Sequence, residues 1–218
     1  MSKDEMGEDE SVRDGASVGS SDSTRGGSLR LFCAVELPGE VREAVAAHAS
    51  RLRRDFPDAR ASWARPEGLH ITLKFVGEVE AARAEALSRA AEAAAEGFAP
   101  FRLSIEESGT FPPRGAARVL WLGVKDASGQ LARLQRRLEQ ECDSAGFPRE
   151  PRAFKPHLTL ARLRTPKDAH ALSEAHRHTP FGPYHFGASE LLVIRSELGP
   201  GGSRYTPLSR HALGMVGG

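Results

Sequence analysis

Leu69-His70-Ile71-Thr72-Leu73-Lys74-Phe75-Val76-Gly77 is the stretch from which the rest of the chain can be read. Side chains two apart on a β-strand share a face. His70 and Thr72 therefore present an imidazole and a hydroxyl side by side, while Ile71 and Leu73 turn toward a core. The arrangement returns 87 residues later as His157-Leu158-Thr159-Leu160, and a proline precedes each copy, Pro66 and Pro156. One His-x-Thr pair on a half-buried strand is incidental. Two at matched places suggest a symmetric site of two histidines and two threonines.

The surroundings repeat as well. Residues 29–37 form an apolar run ended by Pro38-Gly39, and Val41, Val45, Ala49, Leu52 and Phe56 follow at helical spacing before Pro57. Residues 118–124 and the helical pattern over 130–142 stand in the same order before His157, with Phe32 matching Val119 and Val35 matching Leu122. After the first tetrapeptide come an alanine-rich helix over 82–95 and a strand over 101–107. After the second come a helix over 167–176, one long strand over 184–198 and a last strand over 204–212, the two joined by the turn Gly199-Pro200-Gly201-Gly202. This is the signature of an internal duplication. The expected fold class is α+β: two pseudo-symmetric lobes, each a mainly antiparallel sheet with helices on its outer face, and an active site in the central cleft. Residues 1–28 are rich in Ser, Gly, Asp and Glu with few large apolar side chains and read as a disordered tail, leaving 29–218 as the bilobal domain.

Composition narrows the functions. A net charge of +1 in 218 residues gives no global pull toward nucleic acid or membrane, so any anion site must be local. No run reaches the roughly 18 apolar residues of a membrane span, and residues 1–28 hold no apolar signal core, so no membrane partner and a cytoplasmic location are expected. Cys33 and Cys142 read as buried hydrophobes in a reducing compartment. His170, His176, His178 and His185 read as a loop of solvated histidines, and His48 and His211 as structural or exposed. No metal-ligand signature and no nucleotide-binding glycine loop is present, so neither metal nor cofactor is expected.

Two imidazoles in one cleft can accept and donate a proton near neutral pH, and two hydroxyls can hold the non-reacting oxygens of a tetrahedral anion. That equipment suits in-line attack at phosphorus. Lys74 shares the His70 strand parity and is a candidate phosphate contact, weighed equally against an exposed strand-end lysine. Arg162 has the wrong parity and reaches the cleft only if the strand bends after Leu160. Phe154 is a candidate for stacking on a base, with buried packing at least as good a reading. Trp63 and Trp121 read as core or lobe-interface residues. Arg149, Arg152, Lys155 and Arg162 are the basic candidates for a groove favouring RNA.

Together with Leu31-Phe32-Cys33-Ala34-Val35-Glu36-Leu37-Pro38 and Phe154-Lys155-Pro156-His157-Leu158-Thr159-Leu160-Ala161-Arg162, the chain resembles the two-histidine (2H) phosphoesterases, and among them the RNA 2′,3′-cyclic phosphodiesterases, also called 2′-5′ RNA ligases. The resemblance implies hydrolysis of RNA or nucleotide 2′,3′-cyclic phosphates to 2′-phosphomonoesters, and reversible 2′-5′ joining of RNA ends. It implies His70 as proton donor, His157 as proton acceptor, and Thr72 and Thr159 as phosphate contacts. The expected partners are RNA ends or cyclic nucleotides, and a monomer is expected. The alternatives are a 2H phosphoesterase for a small nucleotide, such as an ADP-ribose cyclic phosphate or a 2′-5′ oligonucleotide, and a non-catalytic RNA-binding module.

Overall fold

The computed structural model describes residues 27–165, 169–199 and 202–214. Nearly all of the expected tail, the start of the expected helix at Lys167 and the turn residues Pro200 and Gly201 lie outside them. The strands are β1 (Ser28–Glu36), β2 (Ala61–Trp63), β3 (His70–Glu80), β4 (Phe101–Phe111), β5 (Val119–Lys125), β6 (His157–Leu163), β7 (Tyr184–Ala188), β8 (Glu190–Gly199) and β9 (Gly202–Ala212). The helices are α1 (Gly39–Asp55), α2 (Ala84–Ala95), α3 (Gln130–Ser144) and α4 (His170–His178). Two antiparallel sheets result, one of order β3-β1-β8-β9 and one of order β2-β6-β5-β4-β7.

The duplicated halves are not the two sheets. β1, with β3 on its one side, takes β8 from the second half on the other, and β5, with β6 on its one side, takes β4 from the first, so the halves exchange their third strand. The helices cross over too. α1, which leaves β1 of the first sheet, packs with α4 and β7 of the second; α3, which leaves β5, packs with α2 and β3 of the first. The run over 184–198 breaks at Ser189: β7 pairs with β4 and β8 with β1, so the chain changes sheet there. One continuous core, from Val35 and Ile71 to Leu122 and Leu158, underlies both sheets. Burying it contributes roughly 25 cal/mol per Å² of apolar surface.

The continuous apolar run of β1 is explained by burial on both faces. Leu31, Cys33 and Val35 enter the main core, whereas Phe32 and Ala34 form a second cluster on the opposite face with Leu192, Ile194 and Tyr205. β3 and β6 approach each other across the junction of the sheets, with Cα atoms within 8 Å.

Candidate active site

Each histidine opens its strand, and each is held from behind in the same way. His157 Nδ1 donates to the carbonyl of Lys155 at 2.8 Å, and Nε2 has no hydrogen-bond partner among the described residues. The His70 ring is likewise hydrogen-bonded to the backbone of Gly68, two residues upstream. A histidine with one nitrogen fixed on a carbonyl presents the other in a defined tautomer.

Both expected dyads form. Ile71, Leu73, Leu158 and Leu160 are buried, while His70, Thr72, His157 and Thr159 are half-buried on the other face. Among the described residues neither threonine hydroxyl is committed to a protein hydrogen bond. The walls are aromatic. Phe32 lies 4.6 Å from the His70 ring and Tyr205 meets it edge-on at 5.0 Å. Tyr205 presses so closely on the preceding turn that a Cβ at Gly68 would fall 2.8 Å from its ring. Phe111 meets His157 edge-on at 5.1 Å and is backed by Trp121 at 5.3 Å. Burial pushes the His70 imidazole down to about 4, against the smaller upward pulls of the Gly68 hydrogen bond and the Glu36 carboxylate. Glu36 itself is tied to Arg210 at 2.9 Å.

A β-bulge decides what else reaches this face. Cys33 pairs with Lys74 and Ala34 with Thr72, so one residue is inserted at Leu73 and the parity flips. Lys74 is therefore turned away from His70. Its ammonium is fully buried and donates to Glu139 Oε2 and to the Pro148 carbonyl, each at 2.7 Å, so the expected phosphate contact is corrected to a structural ion pair. Phe75, 55% exposed and 6.0 Å from Phe32, takes its place on the site face. The same bulge recurs in the second half, where Leu120 pairs with Ala161 and Trp121 with Thr159. It buries Ala161 and turns Arg162 out on the face of His157.

Other expectations change. Phe154 is half-buried and packs on the main core. Trp63 joins that core, but Trp121 does not; it pairs with Thr159 and its ring covers Gly109, where a Cβ would fall 2.1 Å from it. His176 is not in a solvated loop: it lies on α4, fully buried, 5.8 Å from the buried His48. Arg149 and Arg152 are neutralised by Asp143 at 3.0 Å and Glu150 at 2.7 Å, so neither is a spare groove cation. Sequence reasoning missed Phe32, Phe75, Phe111 and Tyr205. Only the twofold apolar character of residues 29–37 hinted that Phe32 had a second face to cover.

The profile of the 2′-5′ RNA ligase superfamily matches residues 41–200. The RNA 2′,3′-cyclic phosphodiesterase of Methanothermobacter thermautotrophicus is 34% identical over 185 residues, covering 83% of this chain and 96% of that protein. The protein of the same name from Escherichia coli is 33% identical over 189 residues, covering 84% and 96%. Among solved structures, TT0787 of Thermus thermophilus superposes with a TM-score of 0.73 at 30% identity over 87% of this chain and all of that one. Escherichia coli LigT complexed with 3′-AMP gives 0.70 at 32% identity over 86% and 99%. With a profile match over most of its length and relatives aligned almost end to end, the chain belongs to the 2′-5′ RNA ligase superfamily of two-histidine phosphoesterases.

Proposed function

We propose that the protein hydrolyses 2′,3′-cyclic phosphate ends of RNA to 2′-phosphomonoesters without a metal. The observation that carries this reading is the pair of His-x-Thr dyads on adjoining strands, each ring fixed through a carbonyl two residues upstream. The relatives' names support the substrate.

In the step itself, Nε2 of His157 takes a proton from water as its oxygen attacks phosphorus. The bond from phosphorus to the 3′ oxygen breaks, and that oxygen takes a proton from His70. Thr72, Thr159 and Arg162 hold the non-bridging oxygens, whose negative charge grows in the transition state. A 5′-hydroxyl in place of water gives a 2′-5′ linkage by the same displacement, and the two rings exchange roles in its reversal. For His70 to begin as the acid, bound phosphate must lift its pKa from about 4 to near neutrality. That lift corresponds to roughly 4 kcal/mol, to be supplied by attraction between the imidazolium and the phosphate charge in a partly dry site.

His70→Ala and His157→Ala should each lower the rate on adenosine 2′,3′-cyclic phosphate by at least about 10²-fold while leaving the circular dichroism spectrum unchanged. Turnover should persist in excess EDTA. Phosphorus NMR of the product separates a 2′- from a 3′-phosphate; a 3′-phosphate, or loss of activity with EDTA, would remove this reading. Comparing kcat/KM for an RNA end with that for a small cyclic nucleotide separates the RNA enzyme from a small-nucleotide phosphoesterase.

A further inference from the structure

The cations beyond Arg162, which the catalytic reading already uses, are not scattered. After the bulge at Leu160, the face of β6 that carries His157 and Thr159 continues with Arg162 and then Arg164, both exposed. Two residues apart on a strand, they are about 6.6 Å from each other along it. β2 extends the row sideways. Ser62 pairs with Arg162, and the Arg164 amide bonds to the Arg60 carbonyl at 2.8 Å, so exposed Arg60 stands beside Arg164. Ser62 Oγ accepts from Arg164 Nε at 3.0 Å and steadies its guanidinium.

β2 is also the open edge of its sheet. Beyond it, between the C-terminal half of α1 and the 56–66 segment, lies a cavity of about 780 Å³. Arg53, Arg60, Arg65 and Arg164 line it, against Asp58 as its one carboxylate. Among the described residues, no carboxylate oxygen lies within 4.0 Å of the guanidinium nitrogens of Arg53, Arg60, Arg162 or Arg164. In a chain of net charge +1, with Arg149 and Arg152 neutralised locally and Arg162 assigned to the reacting phosphate, the other three, Arg53, Arg60 and Arg164, make a concentrated and unspent positive strip.

We infer that this strip, from Arg164 through Arg60 to Arg53, binds the phosphodiester backbone of the RNA strand upstream of the reacting end. The inference rests on the catalytic reading only for which end of the strand sits at the histidines. A single nucleotide has too few phosphates to occupy a row of separate guanidiniums, whereas an extended strand places one phosphate after another along it. Contacts of this kind fix position without reading sequence. The strip therefore selects chain length and not base identity.

The test compares an RNA hexamer bearing a 2′,3′-cyclic phosphate with adenosine 2′,3′-cyclic phosphate, using the full chain and the triple variant Arg53→Ala/Arg60→Ala/Arg164→Ala. The hexamer's KM should rise at least tenfold in the variant with kcat unchanged, while kcat/KM for the mononucleotide moves less than twofold. The slope of log affinity against log salt for the hexamer should fall by about 2, since each single-strand phosphate contact contributes about 0.7. Equal handling of the hexamer by both proteins overturns the inference, and so does equal loss of both substrates. Fluorescence anisotropy with a labelled, 3′-phosphate-ended hexamer separates the two readings. If neither protein turns over either substrate but the variant still binds the hexamer at least tenfold more weakly, the catalytic reading fails and the strip stands.

Discussion

His70 and His157 are chemically alike but differently housed. Phe32 and Tyr205 cover the His70 ring, and its pKa falls to about 4 because its charged form is denied water. A negative charge placed beside it favours the imidazolium, so the shift on ligand binding must be upward. Histidine NMR titration should show the His70 midpoint near 4 in the free protein and well above that with adenosine 2′-phosphate bound. Tyr205→Ala, which lets water reach the ring, should raise the free midpoint toward the ordinary value of about 6.5. A midpoint unmoved by the nucleotide would hand the acid's role to His157. The dyads themselves were legible in the sequence, because alternation over four residues is a local property. The aromatic walls were not: Tyr205 arrives from the last strand, 135 positions after His70, and nothing local to either residue announces their meeting.

At the scale of the element, the bulges in β3 and β6 are what the sequence concealed. Strict alternation through Leu73 puts Lys74 beside Thr72 and hides Arg162, and one inserted residue in each strand reverses both assignments. Bulges are set by pairing with a neighbouring strand, and period-two reasoning on a single segment has no access to that. The reversal gives Lys74 a structural task, tying β3 to α3 through Glu139 and to the following loop through Pro148. Lys74→Ala leaves a carboxylate with little solvent access and no counter-charge, and should cost about 3–5 kcal/mol in urea unfolding. Lys74→Met combined with Glu139→Leu removes both charges and should recover most of that loss. If the double variant is as unstable as the single one, the pair is not what stabilises this junction. The single strand expected over 184–198 failed for a related reason: β7 and β8 are continuous in hydropathy but belong to different sheets, and only Ser189 marks the crossing.

For the molecule as a whole, four imidazoles favour the neutral form at a cost that appears only in acid. His48 and His70 are held near 4, and His176 and His211 are lowered, in each case mainly by burial. Nε2 of His48 and Nδ1 of His176 have no hydrogen-bond partner among the described residues. For His48 and His70 the unfolded chain takes up the proton near pH 6.5 and the folded chain only near 4, so their contribution to stability is full above 6.5 and falls as pH drops through that window; His176 and His211 act in the same direction. Each fully shifted group removes at most about 3 kcal/mol. Urea midpoints should therefore drop markedly between about pH 7 and 4.5, and His48→Leu should flatten the slope; an unchanged slope would mean that His48 takes up its proton in the folded state.

The exchanged third strand has a final consequence. Each half of the duplication lacks one strand of the sheet it would need to stand alone, and each lends its first helix to the other half's sheet. The exposed loop at residues 112–116 lies between the halves. The two fragments produced by cutting there should each fail to fold alone and regain the two sheets only when mixed, as circular dichroism of the separate and combined fragments would show.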